Sequence, residues 1–378
     1  MRREMKRRVA RTAVRMRAAG LTKRRMAVAL LAGKVVKLLI ALVVVLCATG
    51  CVHEWPAPAE RRTVTLHVTH NTGWTMADFD VDVRSGRGAT RALAPTARYI
   101  YRVYPAGTTD VCVAEFTRWS ADTDLAPFDE TLELPAGDWD IYIWNDYADG
   151  DGGASLFYDA ASFRAITYAD PYRGCSRLKD AYRGAVSVSV PESIASEVTV
   201  EATVELQRPL TAYAFVATDV REFALLEQTR RELRAGEDEE DTRTDGATDA
   251  PVRLPDWDGY SVRVAYPGFL PSVFNLFSDK PVDSSVGVSY ASSIAGLGDT
   301  EALLAYDYFF VNGHESSVTV RLQVNDSDGT AIASTENFDI PVVRGRCTIV
   351  RGAFLTSTAS GGIGISPGFD GEFNIEIR

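Results

Sequence analysis

Beyond about residue 62 the chain alternates. Residues 63–70 (TVTLHVTH) put an apolar side chain at every second position, the spacing of a strand with one buried face. Residues 98–104 (RYIYRVY) and 110–116 (DVCVAEF) repeat the pattern. Residues 131–134, the turn Pro135-Ala136-Gly137-Asp138 and residues 139–144 (WDIYIW) read as strand, turn and strand. The series continues at 185–190, 197–206 and 211–217, then at 260–266, 285–290, 302–311 and 317–324. Asn325-Asp326-Ser327-Asp328-Gly329 has the composition of a hairpin turn leading to 330–334; strands follow at 338–343, 346–354, 362–365 and 372–378. So many strands parted by turn residues predict an all-β chain of antiparallel sandwiches rather than βαβ units.

One segment breaks the period of two. Asp219 followed three residues later by Glu222 matches a capping box, and predicts a helix that turns Phe223, Leu226 and Leu233 toward a sheet. It should end near Ala235-Gly236. Residues 237–249 are acidic and poor in apolar positions, and read as an irregular loop.

The first fifty residues follow neither pattern. They carry 13 of the 40 Lys and Arg but one acid, then an apolar run over 38–47. That run is shorter than the about 20 residues a spanning helix needs. A basic head, an apolar middle and the small residues Ala48-Thr49-Gly50 mark a secretory signal. Cys51 directly after them resembles the bacterial lipobox, which implies that its thiol is acylated and that Cys51 opens the mature chain. Translation from Met1 or from Met26 gives such a signal; the second leaves Lys34 and Lys37 as a compact head. Residues 51–62, with Pro56 and Pro58, form a tether reaching at most about 35 Å.

Without the signal, 27 basic and 50 acidic residues remain, a formal charge of −23. That disfavours nucleic acid and anionic lipid surfaces as partners, since both demand basic patches. The remaining 328 residues exceed one ordinary core and predict two domains, 63–207 and 208–378. Cys112, Cys175 and Cys347 have no C-x-x-C spacing; a Cys112–Cys175 bridge and buried thiols are the two alternatives, the second favoured.

Candidates for chemistry are few. Of the four His (His53, His67, His70, His314), His67 and His70 fall on opposite faces of one strand, which is unsuited to a shared metal. Cys347 and His314 could form a nucleophile–base pair, but Cys347 alternates with Ile349 in a strand, a core pattern. No G-x-S-x-G occurs and no two acids stand out as a hydrolase pair. Asp146, Asp149 and Asp151, on the Gly-containing stretch NDYADGDGG, are the calcium candidates; a solvated acidic turn is the competing explanation. Trp119, Trp139, Trp144, Trp257 and the tyrosines would make a sugar-stacking platform if exposed, and core if not.

Four stretches carry a family resemblance: Cys51-Val52-His53-Glu54-Trp55-Pro56; residues 134–147 (LPAGDWDIYIWNDY) with 179–184 (KDAYRG); Arg208-Pro209-Leu210 with 215–219 (FVATD); and 341–356 (PVVRGRCTIVRGAFLT) with 361–365 and 369–372. Together they resemble the fimbrillin-related two-domain lipoproteins of Bacteroidales, among them fimbrial anchor and accessory subunits. The resemblance implies two transthyretin-like β-sandwiches in series, an outer-membrane and cell-surface location, and contacts with fimbrial subunits by strand exchange. Residues 372–378 are then a candidate to give or complete a sheet edge; that they simply close their own sandwich is the alternative, and the favoured one. The expected function is a non-enzymatic, membrane-anchored structural lipoprotein without a cofactor beyond the Cys51 lipid. A glycan- or ligand-binding surface lipoprotein is the alternative, and a hydrolase the third.

Overall fold

The computed structural model describes residues 61–73, 95–192, 199–238, 253–357, 363–365 and 372–377. The expected export signal, Cys51 and the expected tether up to residue 60 lie outside the described residues, as does the acidic segment from residue 239. Residues Glu60–Arg378 make one compact unit. Among the described residues no helix is long and apolar enough to cross a membrane.

The first half contributes β1 (Arg61–His70), β2 (Pro95–Pro105), β3 (Ala114–Ser120), β4 (Phe128–Pro135), β5 (Gly137–Asp149), β6 (Tyr158–Asp159), β7 (Ile166–Tyr168), β8 (Tyr182–Val190) and β9 (Val200–Leu206). Two sheets result, of order β4-β1-β9 and β3-β2-β5-β8. Val64, Leu66 and Val68 of β1 are fully buried, as the alternation requires, and Phe128 of β4 meets Tyr99 of β2 edge-on at 4.9 Å.

The second half contributes β10 (Leu210–Ala217), α1 (Val220–Asp238), β11 (Ser261–Asn275), β12 (Lys280–Ser293), β13 (Ala295–Gly296), β14 (Ala302–Phe310), β15 (Glu315–Asn325), β16 (Ala331–Ser334), β17 (Phe338–Val343), β18 (Cys347–Gly352), β19 (Ile363–Ile365) and β20 (Glu372–Ile377). One sheet runs β13-β14-β10-β18-β20-β19. The facing sheet runs β16-β15-β11-β7-β6, with β12 on β11 and β17 on β15. Phe215 of β10 packs on Phe338 of β17 across the gap. Every residue of β10 and of β14 is buried, so both faces of these strands are covered.

The chain is thus an all-β sandwich protein, with one α-helix among the described residues. Among the described residues three strand pairs are parallel, β1–β9, β10–β18 and β18–β20, where the sequence predicts antiparallel sandwiches. β6 and β7 precede the expected boundary at 207–208, yet β7 pairs with β11 of the second half. β20 lies between β18 and β19 in its own sheet.

Several boundaries moved for physical reasons. The expected strand over 110–116 begins only at Ala114: residues 110 and 111 fall beyond the end of β2, and Pro105, opposite residue 112, has no N–H to donate. Pro135–Gly137 is not a hairpin turn: β4 pairs with β1 and β5 with β2, so the turn carries the chain from one sheet to the other, with Gly137 at φ 139°. Residues 260–266 and 285–290 are parts of a long β11–β12 hairpin that absorbs Pro267 and Pro271 at register shifts. Asp326 accepts from the backbone N–H of Asp328 and Thr330, closing the β15–β16 turn.

The helix departs from expectation at both ends. Asp219 does not cap it with its side chain. The carboxylate instead accepts from the backbone N–H of Leu355 and Thr356 and from the Thr356 hydroxyl, tying the helix start to the chain after β18. Val220, Phe223 and Ala224 are buried, and Phe223 stacks on Trp257 with centroids 6.1 Å apart. Leu226 and Leu233 are 45% and 66% exposed, so only the first turns dock. The helix runs on to Asp238 rather than ending at Ala235-Gly236.

Candidate functional site

The two halves meet on buried polar groups. After the short β6–β7 pair, residues 169–181 cross the second sandwich. A 3-10 turn over Arg177–Lys179 starts where the Ser176 hydroxyl accepts from Leu178 N–H. The backbone N–H of Cys175 donates to Tyr306 C=O at 2.9 Å. This strap delivers Lys179 onto β14, where its Nζ lies 2.6 Å from Asp307 Oδ1. Lys179 is 1% exposed and the Asp307 side chain fully buried.

Asp307 is surrounded by hydroxyls. Tyr172 and Tyr266 each donate to Oδ2 at 2.6 Å, and the Tyr308 backbone N–H donates to Oδ1 at 2.9 Å. Behind Tyr266 lies Tyr213, 2.5 Å away hydroxyl to hydroxyl, and Tyr290 lies 3.0 Å beyond it. The Lys179 ammonium sits 3.8 Å from the centre of the Tyr172 ring. Burial holds the Lys179 pKa below the ordinary lysine value, against the pull of Asp307. Burial raises both tyrosines well above theirs, so their hydroxyls stay protonated donors.

A second buried pair lies next along the chain. Asp180 receives Arg208 Nε and Nη2 at 2.7 and 2.8 Å, and the Tyr182 hydroxyl donates to it at 3.0 Å. The charged residues of KDAYRG, RPL and FVATD are therefore contacts within and between the halves, which gives those short motifs a physical meaning.

The structure scatters the residues singled out from sequence. Cys51 lies outside the described residues. Asp146 is fully buried in β5: Arg98 binds both its oxygens, at 2.8 and 2.6 Å, and Trp144 Nε1 donates at 3.1 Å. Burial raises its pKa and the Arg98 bonds oppose the rise. Asp149 ends β5 and Asp151 is exposed in the following turn. Among the described residues no three His, Cys, Asp or Glu gather as a metal site. His67 meets Asp129 at 2.6 Å on the outer face, whereas His70 turns inward among Tyr99, Phe128 and Tyr182, so the two do not converge. His314 is exposed beside Glu315, and Cys347 is buried in β18.

No disulfide joins Cys112, Cys175 and Cys347; Cys112 is exposed, against the favoured expectation of burial, because it falls in the unpaired stretch before β3. No tyrosine or tryptophan among the described residues is exposed: Trp144 is buried and Trp119, Trp139 and Trp257 are partly buried, which counts against a sugar-stacking platform. Three of the exposed large apolar side chains lie on the β11–β12 hairpin. Phe269 on β11 is 76% exposed, and its cross-strand partner Val286 on β12 is 60% exposed, with Val282 further along. β12 hydrogen-bonds only β11 among the described residues, so its outer edge offers backbone groups.

Sequence reasoning missed Lys179, Asp307, Tyr172 and Tyr266 as a set. Asp307 had a signal: it is the one charge within the apolar run ALLAYDYFFV over 302–311. Nothing in the sequence pairs it with Lys179, 128 positions away.

A family profile described as "Family of unknown function (DUF6562)" matches residues 59–378. No curated protein matches. Solved structures with similar folds include a fimbrial assembly protein of Parabacteroides distasonis, at 11% identity and TM-score 0.39, covering 84% of this chain and all of that one. A candidate cell adhesion protein of Bacteroides eggerthii, at 12% identity and TM-score 0.39, covers 85% and 96%. The fimbrial anchor protein of Porphyromonas gingivalis, at 10% identity and TM-score 0.31, covers 72% and 81%.

Proposed function

Because this chain belongs to the family of unknown function DUF6562, we propose its role from its own residues: an exported structural lipoprotein, held to the outer membrane at the cell surface by lipid on Cys51. It acts as a fimbrial anchor or accessory subunit, or in adhesion, through contacts between protein chains. The observation that carries this reading is the β11–β12 hairpin. Its outer strand pairs with no strand but β11 among the described residues, and lies beside exposed Phe269, Val282 and Val286. Such an edge suits an extended segment of a neighbouring subunit: main-chain bonds supply affinity, and apolar side chains supply register. The charge of −23 supports the lipid as the sole attachment, since anionic headgroups repel such a body.

Two experiments test the reading. Cys51→Ala should move the protein from the membrane to the soluble fraction and release its fibres from cells; fibres still attached would overturn the anchor role. Phe269→Lys with Val286→Lys should abolish co-purification with fibre subunits at unchanged thermal stability. Undiminished co-purification would show that the hairpin is not the contact.

A further inference from the structure

We infer that Lys179 and Asp307 become joined by an intramolecular amide bond, so that the mature protein carries a covalent cross-link between its two halves.

The geometry is that of reactants. Nζ lies 2.6 Å from Oδ1, one bond from the carboxyl carbon it would attack, so little movement separates the two reacting atoms. The side chains cannot separate to find water, since both are buried. An ammonium has three donors, yet Lys179 has one hydrogen-bond acceptor, Asp307, and otherwise faces the rings of Tyr172 and Tyr168. Burial pulls the Lys179 pKa below the ordinary lysine value, which eases release of the proton that frees the amine, the nucleophile.

The balance needs no co-reactant. A proton passes from Nζ to Oδ1, giving amine and carboxylic acid. The nitrogen lone pair attacks the carboxyl carbon, and negative charge builds on Oδ2. Oδ2 is the atom that Tyr172 and Tyr266 already bond at 2.6 Å, so two fixed donors wait where the oxyanion forms. A second proton then passes from Nζ to Oδ1, the bond from carbon to Oδ1 breaks, and water leaves. The carbonyl reforms at Oδ2 with both tyrosine bonds kept. The product removes two buried charges whose desolvation opposed folding. It fastens the strap over residues 169–181 to β14, a step that can follow only once the fold has brought the two residues together.

The test does not depend on the proposed function. The full protein, purified from its host, is unfolded and digested with trypsin, and the peptides are weighed. The expected finding is a branched peptide, uncut at Lys179, joined to the fragment containing Asp307, and lighter than the two together by one water. A linear peptide ending at Lys179 in the wild-type digest, with its ε-amine open to acetylation after unfolding, would overturn the inference. Asp307→Asn should yield the same branched peptide by losing ammonia instead. Tyr266→Phe removes one oxyanion donor and should slow formation about 100-fold, so that unlinked peptide accumulates in freshly made protein. Rapid, complete linkage in Tyr266→Phe would refute the role given to the tyrosines.

Discussion

Asp146 offers the sharpest check on how charge is held in the first sandwich. In Asp146→Ala, Arg98 loses both of its carboxylate bonds and Trp144 loses the acceptor of its indole N–H, with the Asp146 side chain 0% and the Arg98 side chain 15% exposed. Removing one partner of a buried pair costs about 3–5 kcal/mol because the other charge is left uncompensated. Arg98 keeps some access to water, which places the expected loss near the lower end, about 3 kcal/mol. In a chain of this size that is a fall in melting temperature of roughly 6 °C. Urea unfolding followed by tryptophan fluorescence measures it, and the double variant Arg98→Met, Asp146→Ala should recover part of the loss. A loss below about 1 kcal/mol would mean that the pair contributes no more than a surface contact. Calcium provides a second arm: with both oxygens occupied by Arg98, Asp146 should give the wild type no calcium-dependent rise in midpoint. A rise that disappears in Asp146→Ala would reverse that assignment.

Three further outcomes are expected. His70, caged by Tyr99, Phe128 and Tyr182, has its pKa lowered by burial from 6.5 to about 4. The unfolded chain therefore binds a proton that the folded chain excludes, so stability falls as pH drops from about 6.5 to about 4. Because the residue as a whole is only partly buried, the full shift is discounted and the loss is about 1–2 kcal/mol, absent in His70→Phe when urea midpoints are compared across pH. Of Cys112, Cys175 and Cys347, only Cys112 should react with a thiol reagent in the native state, as peptide mapping would show, because burial shields the others and raises the Cys175 pKa to about 12. Gly184→Ala would set a Cβ 2.4 Å from Leu206 Cδ2 and 2.9 Å from Val204 Cγ2, forcing β8 off β9; a loss of about 1–3 kcal/mol should appear in thermal unfolding.

Much of the fold was legible because alternation is a local signal. β1 reads directly from TVTLHVTH, and Val64, Leu66 and Val68 are buried as that pattern demands. Partner choice was not legible, since β4 and β5 adjoin in sequence but pair in different sheets. The helix start was found from Asp219, but for an incomplete reason, because the Asp219 carboxylate serves Leu355 and Thr356, over 130 positions away. The prolines at 267 and 271 hid half of β11, since a proline ends a strand by rule and only a bulge permits it. Polar residues mislead for the same reason. Asp146 looks like part of a solvated acidic loop until the register of β2 against β5 sets it opposite Arg98.

The parallel pairing of β1 with β9 also bears on how the molecule carries load. β1 is the first described strand, and it lies in register with β9 over seven residue pairs, from Val64 opposite Val200 to His70 opposite Leu206. In a parallel pair the start of one strand and the end of the other lie at opposite ends of the ladder. Tension entering at Arg61 and leaving beyond Leu206 therefore strains all the rungs at once instead of peeling them singly. β18 and β20 repeat the arrangement near the other end of the chain. A body stretched between its two ends would thus resist as a lap joint does, failing late and abruptly rather than by gradual unzipping.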